Sequence, residues 1–76
     1  MAASRALTVA VVGATGVVGQ EMFKVLDQRR FPISRLKALA SERSAGLEVR
    51  CGDHRVPVEP LAEDSFRGVD LALFSA

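Results

Sequence analysis

The apolar positions change period early in the chain. Leu7 to Val12 (Leu-Thr-Val-Ala-Val-Val) is apolar except for Thr8 and rich in β-branched residues, which suits a strand covered on both faces, as in a parallel sheet. After a glycine-rich break, Val18, Met22, Val25 and Leu26 recur at i, i+4, i+7 and i+8, while Gln20, Lys24, Asp27 and Gln28 share the other side. That spacing predicts an amphipathic helix of about three turns with the four apolar residues facing the core. Arg29-Arg30-Phe31-Pro32 closes it. Basic residues suit a helix C-terminus, and Pro32 disfavours helical backbone at the residue before it.

Later signals are shorter. Leu36 to Ala40 predicts a second strand, followed by a polar loop, Ser41 to Gly46. Leu47 to Cys51 and Arg55 to Val58 predict a hairpin around Gly52-Asp53-His54. Pro57 predicts an edge position for the second of these strands, because proline donates nothing to a ladder. Pro60 to Phe66 predicts a short helix ended by Gly68, and Val69 to Phe74 a closing strand. No repeat, low-complexity tract or linker divides the chain. The order of elements predicts an α/β fold, a Rossmann-like, mostly parallel sheet with a β-hairpin insertion. A doubly wound sheet needs crossovers on both faces, and the last strand has no helix after it. The sheet is therefore expected to be incomplete in this chain, as the first part of a larger protein.

Composition narrows the function classes. Seventy-six residues make at most one small domain, with a low buried fraction. A net charge of +1 gives no electrostatic case for nucleic acid or an anionic membrane, and with no Trp or Tyr and four scattered Phe the chain shows no aromatic stacking platform. The apolar run after Arg5 is far below the roughly 20 residues needed to span a bilayer, and no small-residue cleavage site follows it. The single cysteine, Cys51, has no internal partner, so a reducing, cytoplasmic compartment is expected. No residues have metal-ligand spacing.

The glycine-rich break holds the candidate chemistry. Gly13, Gly16 and Gly19 form a Gly-x-x-Gly-x-x-Gly variant of the dinucleotide fingerprint, at the corner between strand and helix. Gly13 would let the chain turn sharply, Gly16 would let backbone N–H groups approach a pyrophosphate, and Gly19 would let the helix pack closely on the sheet. A helix N-terminus offers unpaired donors and partial positive charge to an anion. The alternative is a structural corner whose glycines only relieve crowding.

The loop after the second strand bears on which dinucleotide. Folds that prefer NAD usually place an Asp or Glu there for the ribose hydroxyls; this chain has Ser41-Glu42-Arg43-Ser44. Arg43 can make two charge-assisted bonds to a 2′-phosphate, with the flanking hydroxyls adding more, which favours NADP. Glu42 keeps a second reading open, a carboxylate holding a 2′-hydroxyl, and a solvated loop without ligand is a third. In an extended loop neighbouring side chains point apart, so Arg43 and Glu42 are not expected to share a target.

Three stretches also carry a family resemblance: Val9-Ala-Val-Val-Gly-Ala-Thr-Gly-Val-Val-Gly-Gln-Glu21, Leu39-Ala-Ser-Glu-Arg-Ser-Ala-Gly46 and Phe66-Arg-Gly-Val-Asp-Leu-Ala-Leu-Phe-Ser-Ala76. In this order they resemble the start of the aspartate-semialdehyde dehydrogenase family, from about Leu7 to Ala76. The glycine loop is shared with many reductases; the second and third stretches together are more specific. The resemblance implies an NADPH-dependent homodimeric enzyme that reduces β-aspartyl phosphate to aspartate semialdehyde with release of phosphate, a step toward lysine, threonine and methionine. It implies that Thr15, Gly16, Val17 and Val18 lie along the cofactor phosphates, mainly through backbone groups. Arg43 and Ser44, with Ser41 close by, would hold the 2′-phosphate. Ser75 and Ala76 are further candidates at the end of the last strand.

The family's nucleophilic cysteine, its acid/base histidine and its phosphate-binding basic residues come later in its sequence. Residues 1–76 are thus expected to be the N-terminal part of an NADP-binding domain, holding no catalytic residue, with the catalytic and dimerisation domain outside them. Cys51 reads as a structural thiol, His54 as an exposed turn residue, and Arg29, Arg30, Arg35 and Lys37 as a solvated face. Three alternatives stand beside this reading: an N-acetyl-glutamyl-phosphate reductase-like enzyme, a non-catalytic NADP-sensing module, and a chain that binds nothing because its sheet cannot close.

Overall fold

The computed structural model describes residues 6–75. Among them run β1 (Leu7–Val12), α1 (Val17–Gln28), β2 (Ile33–Ala40), a 3-10 turn (Glu42–Ser44), β3 (Glu48–Cys51), β4 (His54–Pro60) and β5 (Leu71–Phe74). They form a five-stranded sheet in the order β3-β4-β2-β1-β5. β4, β2, β1 and β5 are parallel, and β3 runs antiparallel to β4. This is the Rossmann-like sheet with a hairpin that the sequence predicts.

Strand β1 lies in the middle, and Val9, Ala10 and Val11 are fully buried, as its unbroken apolar run requires. Side chains alternate across the sheet. Val9 and Val11 join one cluster with Phe23 and Leu26 of α1 and with Val49, Cys51, Val56 and Val58 of the hairpin. Ala10 and Leu39 are equally buried but stand outside that cluster, on the opposite face. Residues 61–70 cross that face between β4 and β5. Lys37 Nζ ties them down by donating to the Ser65 carbonyl at 2.8 Å. Asp70 ends the crossing by accepting from the Thr8 N–H through Oδ2 and donating its own N–H to the Thr8 carbonyl, each at 2.8 Å. Lys37 is therefore a fastening residue, not part of a solvated face.

The buried side of α1 is not the one its hydropathy suggests. Gly19, Phe23 and Leu26 are buried, whereas Val18 and Val25 are about half exposed and Met22 is half-buried. Two apolar stripes lie side by side on this helix, one residue apart. The stripe holding Gly19 and Phe23 faces the sheet because glycine permits close approach and an aromatic ring has the most surface to bury. Val18, Met22 and Val25 are left beside Leu73 as an apolar strip at the surface.

Other boundaries shift for local reasons. Strand β2 starts earlier than predicted, at Ile33, because pairing of Ile33 with Leu7 carries the ladder through the polar residues Ser34 and Arg35. In the hairpin, His54 pairs with Cys51, so the turn proper is Gly52-Asp53. Strand β4 is interior, contrary to the edge position predicted from Pro57. The Val58 N–H donates to the Leu47 carbonyl at 2.8 Å, so the Glu48–Pro57 pair exchanges no bonds and the proline nitrogen faces away from β3. On that side, pairing with β2 starts only at Val58. The proline therefore interrupts neither ladder.

The predicted helix from Pro60 to Phe66 is absent. Turns take its place, with Ser65 N–H donating to the Ala62 carbonyl and Arg67 N–H to the Asp64 carbonyl, both at 3.1 Å. The Ser65 hydroxyl accepts from the Ala62 N–H at 2.8 Å. That local bond competes with helix formation in a segment too short to nucleate well.

Candidate functional site

The carboxyl ends of β1, β2 and β5 meet at one edge of the sheet, with β1 between the other two. From β1 the chain winds outward through α1, β2 and β4, then returns to β5 on the other side of β1. Such a reversal opens a crevice at the strand ends.

The corner between β1 and α1 is fixed by backbone bonds. The N–H groups of Gly13 and Ala14 both donate to the Leu39 carbonyl, at 2.8 and 3.1 Å, and Gly16 N–H donates to the Gly13 carbonyl at 3.2 Å. Gly13 has φ +82°, a conformation that favours glycine. At Gly19 an added Cβ would strike the Gly13 carbonyl oxygen and come within 2.9 Å of Ala14 Cα. At Gly16 the nearest atom to such a Cβ is 3.6 Å away. Gly13 thus makes the turn, Gly19 permits contact between helix and turn, and Gly16 leaves room for an added Cβ.

The helix mouth carries free donors. Gly16 is the N-cap and makes no side-chain capping bond, and no acidic residue occupies the first turn. The first N–H groups of a helix have no acceptor within it. Among the described residues, no backbone carbonyl takes those of Val17, Val18 or Gly19. Val17 is 84% exposed, so the mouth is open. The Gly16 N–H, by contrast, is committed to Gly13, so the anion-seeking donors are the three residues after it. The sequence places Gln20 only on the polar side of α1; its Nε2 donates to the Thr15 carbonyl at 3.0 Å, turning that oxygen into an occupied acceptor.

Thr15 Oγ1 and Ser44 Oγ lie 3.3 Å apart, which brings the glycine loop and the loop after β2 together. Residues 42–44 form a 3-10 turn with Ser41 as its N-cap, not the extended loop expected. Successive residues in such a turn are rotated by about 120°, so Glu42, Arg43 and Ser44 leave it in three directions, and only the long Arg43 side chain has the reach to turn back toward a group held near Ser44. Ser41, Glu42 and Arg43 are all exposed. The site's only formal charges in this loop are therefore one carboxylate and one guanidinium, both free to meet a ligand from solvent.

Ser75 closes the third side. Its N–H donates to the Val12 carbonyl at 3.0 Å, and its Oγ lies 3.1 Å from the carbonyl oxygens of Val12 and Gly13. Ala76 lies outside the described residues.

Other titratable groups sit elsewhere. Cys51 is buried, and its Sγ donates to the Phe23 carbonyl at 3.3 Å. Burial pushes its pKa up, and the Asp27 carboxylate adds to the shift. A thiol held protonated in this way is a poor nucleophile. His54 is exposed, and with Arg30, Arg35 and Arg55 it lines a groove at the amino-terminal end of β2, the opposite end of the sheet from the glycine corner. Among the described residues no cluster of His, Cys, Asp and Glu could hold a metal ion, and no helix is long and apolar enough to cross a membrane.

Comparison with known proteins agrees with this geometry. The family model described as "Semialdehyde dehydrogenase, NAD binding domain" matches residues 8–76. Aspartate-semialdehyde dehydrogenase of Legionella pneumophila is 55% identical over 96% of this chain, and that of Bacillus subtilis (strain 168) is 50% identical over 95%. In both cases the match spans 21% of the relative's length. The crystal structure of aspartate semialdehyde dehydrogenase II from Vibrio cholerae, complexed with ASA, superposes with a TM-score of 0.87 at 44% identity, over 95% of this chain and 24% of that one. A nicotinamide dinucleotide is therefore the cofactor class, and the chain belongs to the semialdehyde dehydrogenase family through that family's NAD-binding domain, beside the aspartate-semialdehyde dehydrogenases.

Proposed function

We propose that this chain is the N-terminal part of the NADP-binding domain of an aspartate-semialdehyde dehydrogenase. One observation carries the reading. The uncapped amides of Val17, Val18 and Gly19 open beside the Thr15–Ser44 contact, with Arg43 next to it. A dinucleotide diphosphate would take the amides, and Gly16 leaves room for it to approach. Gly13 and Gly19 shape the corner without needing to touch the ligand. A 2′-phosphate would be held by Arg43, whose planar guanidinium suits phosphate, with the hydroxyls of Ser44 and Ser41 as further donors.

Bound NADPH supplies a hydride. This chain's residues would contribute binding and orientation: the amides of Val17, Val18 and Gly19 would hold the diphosphate, and Ser41, Arg43 and Ser44 the adenosine end. The reaction proposed for the intact enzyme is reduction of β-aspartyl phosphate to aspartate semialdehyde with release of phosphate, serving lysine, threonine and methionine synthesis. Its nucleophile and acid/base group lie outside residues 1–76. A cytoplasmic homodimer is the proposed setting.

Arg43→Glu in the intact enzyme tests the cofactor choice. Losing a bidentate charged contact should weaken NADP binding by roughly 2–3 kcal/mol, while NAD affinity changes little. Equal losses for both cofactors, measured by calorimetry, would remove Arg43 from the 2′-phosphate site.

A further inference from the structure

We propose that Ser75 is a positioning residue for the glycine corner, fixing two carbonyl oxygens so that neither swings into the space where the corner receives an anion. This rests on the dinucleotide-binding reading above. The Ser75 hydroxyl carries one proton and lies 3.1 Å from both the Val12 and Gly13 carbonyl oxygens, so it makes one shared, three-centre bond. The Gly13 oxygen also accepts from Gly16 N–H. The other end of the same peptide plane is held by Ala14 N–H donating to the Leu39 carbonyl.

The carbonyl and N–H of a trans peptide point in opposite directions. With both ends tied, the Gly13–Ala14 unit keeps its oxygen packed against the Gly16 N–H and Gly19 and cannot swing it into the space ahead of the helix. A carbonyl oxygen aimed there would repel a diphosphate and offset the pull of the Val17, Val18 and Gly19 amides. The hydroxyl also fills the space that a Cβ on Gly13 would need. Glycine at position 13 is thus required twice, by its positive φ and by its partner on β5.

The test uses the intact enzyme and compares wild type with Ser75→Ala by calorimetry against NADP and against NAD. Loss of the shared bond should weaken both cofactors about five- to tenfold, on the scale of one hydrogen bond, with their ratio unchanged. Unchanged affinity for both would overturn the proposal, and a loss confined to NADP would replace it with a direct contact to the 2′-phosphate. If wild type binds neither cofactor, the dinucleotide reading itself fails. The geometry is then judged separately by a double-mutant cycle. Gly13→Ala should lower the melting temperature less in the Ser75→Ala background than in wild type, and equal losses would show that the two residues are not coupled. Should Ser75→Ala fail to fold, Ser75→Cys, with a weaker donor of similar shape, is measured in its place with the same outcomes.

Discussion

At the residue scale, three glycines with the same spacing have three different environments, and Gly19 and Gly16 make separable predictions. Gly19→Ala pushes a Cβ into the backbone of Gly13 and Ala14. It should destabilise the intact protein by about 1–3 kcal/mol in urea titrations, the cost of overpacking against atoms that cannot swing aside. The Cβ added by Gly16→Val meets no atom closer than 3.6 Å. It should cost no more than about 1 kcal/mol of stability, from poorer capping, yet abolish binding of both nicotinamide cofactors because the side chain occupies the diphosphate approach. If Gly16→Val bound normally, the ligand would dock elsewhere. The distinct tasks of Gly13 and Gly19 were legible in the sequence, since turn and close packing follow from position between strand and helix. The bonds made by Ser75 and Gln20 were not, because they depend on how β5 registers against β1 and on a rotamer.

Cys51 gives a second residue-scale test. Its pKa is raised by burial first and by Asp27 second, so the folded state holds the thiol proton more tightly than the unfolded chain. The stability linked to that proton is intact below the ordinary thiol pKa and is lost as pH rises through that value toward the raised one. The stability difference between wild type and Cys51→Ala should therefore narrow on the alkaline side. A difference that stays flat there would contradict the burial of this thiol.

At the scale of elements, α1 shows where hydropathy alone misleads. Periodicity found the helix but chose between two adjacent apolar stripes by counting residues, whereas packing chose by size and closeness of approach. Phe23→Ala should cost about 3–5 kcal/mol, and Val25→Ala, at a half-exposed position, less than about 1 kcal/mol. Denaturant unfolding of the two variants decides it, and equal costs would return the helix to its hydropathy-based orientation. Pro57 teaches a related lesson. A proline excludes a strand from a central position only where its nitrogen faces a ladder, and β4 joins β2 one residue too late for that. The turns from 61 to 70 were illegible for another reason: their anchors, Lys37 and Thr8, lie far away in sequence.

At the scale of the molecule, the candidate site follows from topology more than from any one side chain. The chain leaves β1 in one direction and comes back on its other side, so the glycine corner, the Ser41–Ser44 turn and Ser75 converge although they are scattered along the sequence. Sequence spacing found all three segments but could not place Thr15 against Ser44, because that distance is set by the parallel pairing of β1 with β2. The same topology separates this edge from the arginine-lined groove at the far end of β2, so basic residues near one another in sequence, such as Arg30 and Arg43, serve different ends of the sheet.

The central claim is that main-chain donors at the start of α1 receive the cofactor's diphosphate. The most direct measurement is a titration of the isotope-labelled intact enzyme with NADP, following the amide resonances of Val17, Val18 and Gly19. Large, saturable shifts are expected at these three amides, with Ser44 responding to NADP and much less to NAD. Saturation of binding with all three amides unmoved would contradict that claim.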